Sequence, residues 1–158
     1  MDSAILYESI LSSVQADLLQ YGYSRNGKSA FFYRFSADKT VGCCIEMQKS
    51  MYNLPGSHSF TFNLLCVRSH EINGYSKDRL TVSALKNCLH VPLAAKRIGD
   101  ICRGRDYWWD ITEETLKAYD LKEYYDRFLH ADIQACAVYL NGLADKPQQP
   151  ACPRGGAR

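Results

Sequence analysis

Three runs of strand-forming residues, joined by short polar segments, are the feature that most limits the folds open to this chain. The runs cover residues 30–36, 40–50 and 58–68, and each is rich in aromatic or aliphatic side chains. Asp38-Lys39 forms the first joint, and residues 51–57 form the second. Parallel neighbours need a crossover of a dozen or more residues, so joints this short predict an antiparallel meander.

Amphipathic helices flank these runs. Leu6, Ile10, Val14 and Leu18 recur at helical spacing within residues 3–21, which predicts an N-terminal helix. Thr112 is a predicted N-cap for one long C-terminal helix that ends near Asn141-Gly142. Residues 88–101 are expected to contain a further strand, and residues 108–111 form the last one. The predicted fold is α+β, with an antiparallel sheet of four to five strands packed on one face by the two helices.

Composition predicts one cytoplasmic domain. We expect residues 1–144 to form a single domain, and residues 145–158, rich in Pro, Gly and Gln, to be a disordered tail. Seven cysteines, an odd number without a CxxC pair, favour reduced thiols. The first residues lack the pattern of a signal peptide, and no apolar run is long enough to span a membrane. A net charge of +2 makes nucleic acid an unexpected ligand.

Strand alternation supplies the main functional clue. One face of the predicted sheet carries the core, while the other carries the polar side chains of Arg34, Glu46, Gln48, Thr61 and Asn63. These residues predict a shallow polar groove, although an ordinary solvated sheet face has the same pattern. A plain cross-strand ion pair between Arg34 and Glu46 is equally open.

The loops from Arg97 to Trp109 are expected to complete this groove. Arg34 and Arg97 would anchor an anion or carboxylate, and Gln48 and Asn63 would form hydrogen bonds. Neighbouring residues of a strand point to opposite faces, so one indole of the Trp108-Trp109 pair should be buried and the other exposed as an aromatic anchor. The sequence does not decide which. The predicted binding residues are Arg34, Glu46, Gln48, Asn63, Arg97, Trp108 and Trp109.

Six short motifs give the chain a resemblance to a known family. They follow one another as Gly22-Tyr23, Phe32-Tyr33-Arg34, Ile45-Glu46-Met47-Gln48-Lys49-Ser50, Phe60-Thr61-Phe62-Asn63, Arg97-Ile98-Gly99 and Trp108-Trp109. In this order they resemble the bacterial domain-of-unknown-function-4304 family over roughly residues 5–130. The resemblance implies a small α+β domain with an antiparallel sheet, and no established activity, cofactor or catalytic residue.

No recognised catalytic or metal-binding motif is present. The four histidines are scattered, and neither a GxGxxG nor a GxxxxGK[ST] sequence occurs. We therefore expect no cofactor, no metal site and no catalytic residues. The predicted function is a non-enzymatic binding module for another protein, with an immunity-like role as one form of it. The alternative is a small-molecule or nucleotide-binding enzyme that uses the same face. The oligomeric state is not encoded in any pattern found here.

Overall fold

An antiparallel sheet forms the centre of the structure, a computed structural model that describes residues 1–72, 79–89 and 95–146. The strands run in the order β1-β2-β3-β4-β5, and β6 pairs with the first residues of β4 on the edge that β5 also uses. All pairs are antiparallel, which confirms the predicted meander. The strands are β1 (Ser24–Arg25), β2 (Phe31–Phe35), β3 (Val41–Lys49), β4 (Ser57–Arg68), β5 (Lys96–Arg97) and β6 (Trp109–Thr112).

The described part of the chain thus has six strands, one more than the upper end of the prediction. The further strand expected within residues 88–101 is confirmed as β5, which is short. Only Lys96–Arg97 is a strand, Leu89 ends a helix, and Ile98–Cys102 forms another helix. Residues 90–94 of that prediction lie outside the described residues.

Six α-helices accompany the sheet in the described ranges. They are α1 (Ser3–Leu19), α2 (Val82–Leu89), α3 (Ile98–Cys102), α4 (Glu113–Ala118), α5 (Leu121–Phe128) and α6 (His130–Ala144). A 3-10 turn spans Ser69–Glu71. The N-terminal helix is confirmed, and the Asp2 carboxylate accepts a hydrogen bond from the Ala4 amide at 2.9 Å, as an N-cap does.

The single long C-terminal helix of the prediction is three helices. Tyr119 is extended, with φ −138° and ψ 139°, and so interrupts the helical path after α4. Asp120 then caps α5, because its carboxylate accepts from the Glu123 amide at 2.9 Å. The predicted tail of residues 145–158 lies outside the described residues from residue 147 onward.

Both faces of the sheet are apolar at one end. Helices α1, α5 and α6 cover one face over the main core, whose largest members include Trp109, Phe60, Phe62 and Ile45. On the other face, α2 covers a smaller cluster of Phe31, Cys44, Leu65, Val67, Leu80, Leu85 and Leu89. The predicted polar face is therefore polar only in the part of the sheet that α2 does not cover. The candidate site lies on that part.

Candidate functional site

Four of the predicted binding residues form a row of polar side chains across β3, β4 and β5. This polar row consists of Glu46, Gln48, Asn63 and Arg97. Asn63 lies directly opposite Glu46 on one side and Arg97 on the other. Directly paired residues project on the same face of a sheet, so all of these side chains share the face beyond α2. The Asn63 amide donates to Gln48 Oε1 at 2.8 Å. The structure thus brings together four of the seven predicted residues.

Glu46 is the chemically open member of this row. Its side chain is half-buried, and its carboxylate forms no hydrogen bond or ion pair within the part of the chain that the structure describes. A carboxylate that is partly removed from water gains most from a donor that approaches it. Glu46 can therefore accept from a cationic or amide group of a ligand.

At the other end of the row, Arg97 lies against Trp108. Its guanidinium carbon is 5.0 Å from the centre of the Trp108 ring, a cation–π distance. Asp106 holds both groups, because its Oδ2 accepts from Arg97 Nη1 at 2.8 Å and from Trp108 Nε1 at 3.2 Å. This three-residue contact fixes the orientation of an indole that is only half-buried.

Gly99 explains how the segment before β6 reaches this position. A Cβ atom at Gly99 would lie 2.5 Å from the Tyr107 amide nitrogen, and closer still to the Arg105 carbonyl oxygen. Only glycine permits that approach. Thr61 then ties the segment to β4, because its hydroxyl donates to the Tyr107 carbonyl at 2.8 Å. Thr61 is consequently buried and does not line an open groove.

Trp109 is the buried member of the tryptophan pair and belongs to the core, which leaves Trp108 as the candidate aromatic anchor. Its ring stacks on Phe60 with centroids 6.1 Å apart, and its Nε1 donates to the Phe128 carbonyl at 3.0 Å. Trp109 pairs with Phe60, whose side chain belongs to the main core. The register therefore places Trp109 on the core side and leaves Trp108 on the polar side.

Arg34 is also not part of the polar row. It pairs with Cys43, a residue of the main core, whereas Glu46 pairs with Phe31 on the opposite face. The predicted Arg34–Glu46 ion pair is accordingly absent among the described residues. Arg34 instead lines a separate cleft at the β2 edge of the sheet.

An aromatic cleft of about 330 Å³ adjoins the polar row. Trp108 lines it and also contacts Arg97 of the polar row. Asp110 adds a carboxylate whose Oδ1 accepts from the Ser57 and Ser59 hydroxyl groups at 2.7 and 2.9 Å. Phe128 leaves 37% of its surface exposed at this position. The other lining residues are Tyr107, Trp109, Thr115, Tyr119 and Tyr124.

The sequence did not indicate this cleft. Its far wall comes from Tyr119, Tyr124 and Phe128, which meet because the chain breaks between α4 and α5. Burial raises the pKa of Tyr124, and the nearby Tyr107 and Asp110 raise it further. The Tyr124 hydroxyl donates to the Asp110 carbonyl at 3.5 Å.

No group of three or more His, Cys, Asp or Glu side chains among the described residues is arranged to hold a metal ion. Within those residues, no helix combines the length and the apolar character needed to cross a membrane.

Comparison with known proteins places these features in a family. The family model described as Domain of unknown function (DUF4304) matches residues 14–136 of the 158-residue chain. No curated protein and no solved structure is significantly similar to this chain. The match includes the polar row, the segment after Gly99 and both tryptophans. The chain therefore belongs to the DUF4304 family, as its six motifs predicted.

Proposed function

We propose that this chain is a non-enzymatic binding module whose ligand is another protein. The observation that carries this proposal is the position of Trp108, which connects the polar row to the aromatic cleft. A rigid, half-exposed indole surrounded by polar side chains is the arrangement found at the energetic centre of protein interfaces. The Asp106 contacts hold the indole before any ligand arrives, which lowers the entropic cost of binding.

The two parts of the surface define the partner's chemistry. Glu46 offers a carboxylate without a partner among the described residues, so a Lys or Arg side chain of the ligand matches it. The aromatic cleft is large enough for one apolar or aromatic side chain. We infer a partner segment that presents a cation and an apolar anchor to these two positions.

The proposal also covers the cellular compartment and the biological role of this binding. All six cysteines in the described ranges are free, and Cys102 and Cys136 remain unbonded with their sulfur atoms 3.9 Å apart. A reducing compartment keeps neighbouring thiols from forming a disulfide, and this supports a cytoplasmic location. A bacterial, immunity-like role, in which the module neutralises a partner by binding it, fits a surface without catalytic groups among its contacts.

Affinity capture with matched variants tests this function. The tagged protein, Trp108→Ala and Glu46→Gln would each be incubated with lysate of the source organism, and captured proteins quantified by mass spectrometry. Val138→Ala, which alters a side chain that is 59% exposed on α6, serves as the control. We expect one protein that the wild type and the control capture and that both site variants lose at least tenfold.

The captured partner would then be purified and titrated by calorimetry. The proposal requires that Trp108→Ala weaken this purified interaction as well, because an aromatic anchor at an interface centre contributes about 2 kcal/mol or more. Equal affinity for the wild type and both site variants would contradict the proposal.

A further inference from the structure

A second cleft, of about 500 Å³, lies at the opposite edge of the sheet from β5 and β6. It opens where β1 ends, since β1 pairs only with Phe32 and Tyr33 and leaves the rest of the β2 edge without a strand partner in the described ranges. Arg34, Lys39, Ser24 and Thr81 provide its polar lining. The volume falls in the range of small-molecule sites, which is about 300–1,000 Å³.

The Arg34 guanidinium is the unusual group in this cleft. Its Nη1 atom is buried and has no hydrogen-bond partner among the described residues. Tyr23, Cys43 and Cys66 are near enough to interact with its charge. A buried donor atom without a hydrogen-bond partner is costly, and native structures rarely leave one. An anion that enters the cleft would remove that cost.

The local backbone leaves room for the Arg34 side chain. Gly22 has φ +87°, and a Cβ atom there would lie only 3.2 Å from Arg34 Nε. The glycine therefore lets the Arg34 side chain approach the chain that follows α1, which gives the Gly22-Tyr23 motif a structural reason.

Lys39 supplies a second cation at the same cleft. It adopts φ 58°, the one positive value for a non-glycine residue in the described ranges, and its carbonyl accepts from the Leu80 amide at 2.7 Å. Strained residues of this kind concentrate at ligand sites. The neighbouring Asp38 carboxylate accepts hydrogen bonds from the Ser36 and Thr40 hydroxyl groups and is not part of the lining.

The remaining walls of the cleft are apolar or aromatic. Tyr33 and Phe35 lie side by side on β2, with ring centres 5.5 Å apart, and Leu80 and Val82 face them from the start of α2. The N-terminal end of α2 adds the positive end of a helix dipole. No acidic side chain lines the cleft within the described ranges.

We propose that this cleft binds a small organic molecule that carries a carboxylate or phosphate group. Arg34 and Lys39 bind the anionic group, and Tyr33 with Phe35 contacts the apolar part of the molecule. The guanidinium fork suits both kinds of oxyanion. This site is separate from the polar row, and it adds a small-molecule ligand to a protein whose partner surface lies at the other edge of the sheet.

Three probes of one shape test the proposal. Phenyl phosphate and benzoate carry the two oxyanions on the same ring, and benzamide is the neutral counterpart. Thermal unfolding and calorimetric titration of the wild type should show binding of at least one anionic probe and none of benzamide. A stronger response to phenyl phosphate than to benzoate identifies a phosphate site, and the reverse identifies a carboxylate site.

Matched variants connect the response to the cleft. Arg34→Met should weaken binding of the anionic probe at least tenfold, whereas Lys122→Met removes the same charge from an exposed position on α5 and should leave it unchanged. If Arg34→Met fails to fold, Lys39→Met replaces it, and the Arg34 Nε–H resonance in the NMR spectrum of the wild type should shift with the probe. The absence of binding by either anion, or an equal loss in Lys122→Met, would overturn the proposal.

Discussion

At the scale of single residues, the adjacent tryptophans have opposite roles. Trp109 lies in the main core with 2% of its surface exposed, while Trp108 stacks on Arg97 at the polar row. We predict that Trp109→Ala lowers the free energy of unfolding by about 3–5 kcal/mol, because it leaves a large cavity. Trp108→Ala should cost less than about 1 kcal/mol. Urea denaturation followed by circular dichroism measures both, and equal losses would contradict the assignment.

The sequence predicted that one tryptophan is buried and the other exposed. It did not predict which one is buried, because alternation along a strand does not decide this. Arg34 shows the same limit more clearly. Its face depends on the register of the β2–β3 hairpin, in which Phe35 pairs with Gly42. A shift of one residue would have moved Arg34 to the face of Glu46, as predicted, and nothing in the turn sequence excluded that shift. In β3 and β4, where the prediction had the correct parity, Glu46, Gln48 and Asn63 do share a face.

At the scale of elements, α3 and the segment before β6 depend on one glycine. Gly99→Ala would place a methyl group against the backbone of residues 105–107 and displace the segment that carries Trp108. We predict a loss of about 1–3 kcal/mol in the free energy of unfolding, typical of overpacking. Gly142→Ala is the matched control, since a Cβ atom there meets nothing within 4 Å, and in the α6 helix it should stabilise by up to about 1 kcal/mol.

Thermal unfolding of the two alanine variants tests this difference directly. If Gly99→Ala matched Gly142→Ala, the close approach at Gly99 would not hold the segment. The fluorescence of Trp108 should also change in Gly99→Ala alone, because its contact with Arg97 depends on the displaced backbone.

The C-terminal elements show what periodicity misses. Leu121, Tyr125 and Ile133 continue one apolar stripe, so the spacing predicted an unbroken helix after Thr112. The break depends on Tyr119 and Asp120, where an aspartate caps a new helix instead of continuing the old one. The existence and order of the main elements followed from the sequence, whereas the break that forms the aromatic cleft did not.

At the scale of the whole molecule, the sheet separates two surfaces of different chemistry. The polar row lies on the β4–β5 side, and the Arg34 cleft lies at the β2 edge, with β3 between them. The two sites share no side chain, and substitutions at separate sites usually have additive effects. A result at one site therefore does not decide the proposal for the other.

The core as a whole should make the protein sensitive to alkali. Burial raises the pKa of the phenols of Tyr7, Tyr23, Tyr124 and Tyr125. In the unfolded chain these phenols ionise near pH 10, whereas in the folded chain they stay protonated at that pH. Above that pH the folded state binds more protons than the unfolded state, so the free energy of unfolding falls as pH rises. Below it, the stability that the neutral phenols contribute is fully present.

Tyr125 isolates one group in this titration. Its hydroxyl donates to Asp17 Oδ2 at 2.6 Å, and burial and this bond raise its pKa. Hydrogen bonds to Cys43 and Cys136 lower the pKa values of Cys66 and Cys102. These two thiols therefore change the free energy of unfolding with pH in the opposite direction. Their effect is complete once the thiols of the unfolded chain have ionised near pH 9. Between about pH 10.5 and 11.5 the remaining slope therefore comes from groups that stay protonated in the folded chain.

We predict that Tyr125→Phe makes this slope shallower by up to about 1.4 kcal/mol per pH unit, the contribution of one proton. Urea denaturation in reductant across this interval gives the slope. Tyr52→Phe, which removes a phenol that is 86% exposed, controls for the substitution itself. An identical slope in the wild type and Tyr125→Phe would mean that the phenol ionises in the folded chain as readily as in the unfolded one. In that case the buried contact with Asp17 would not form in solution.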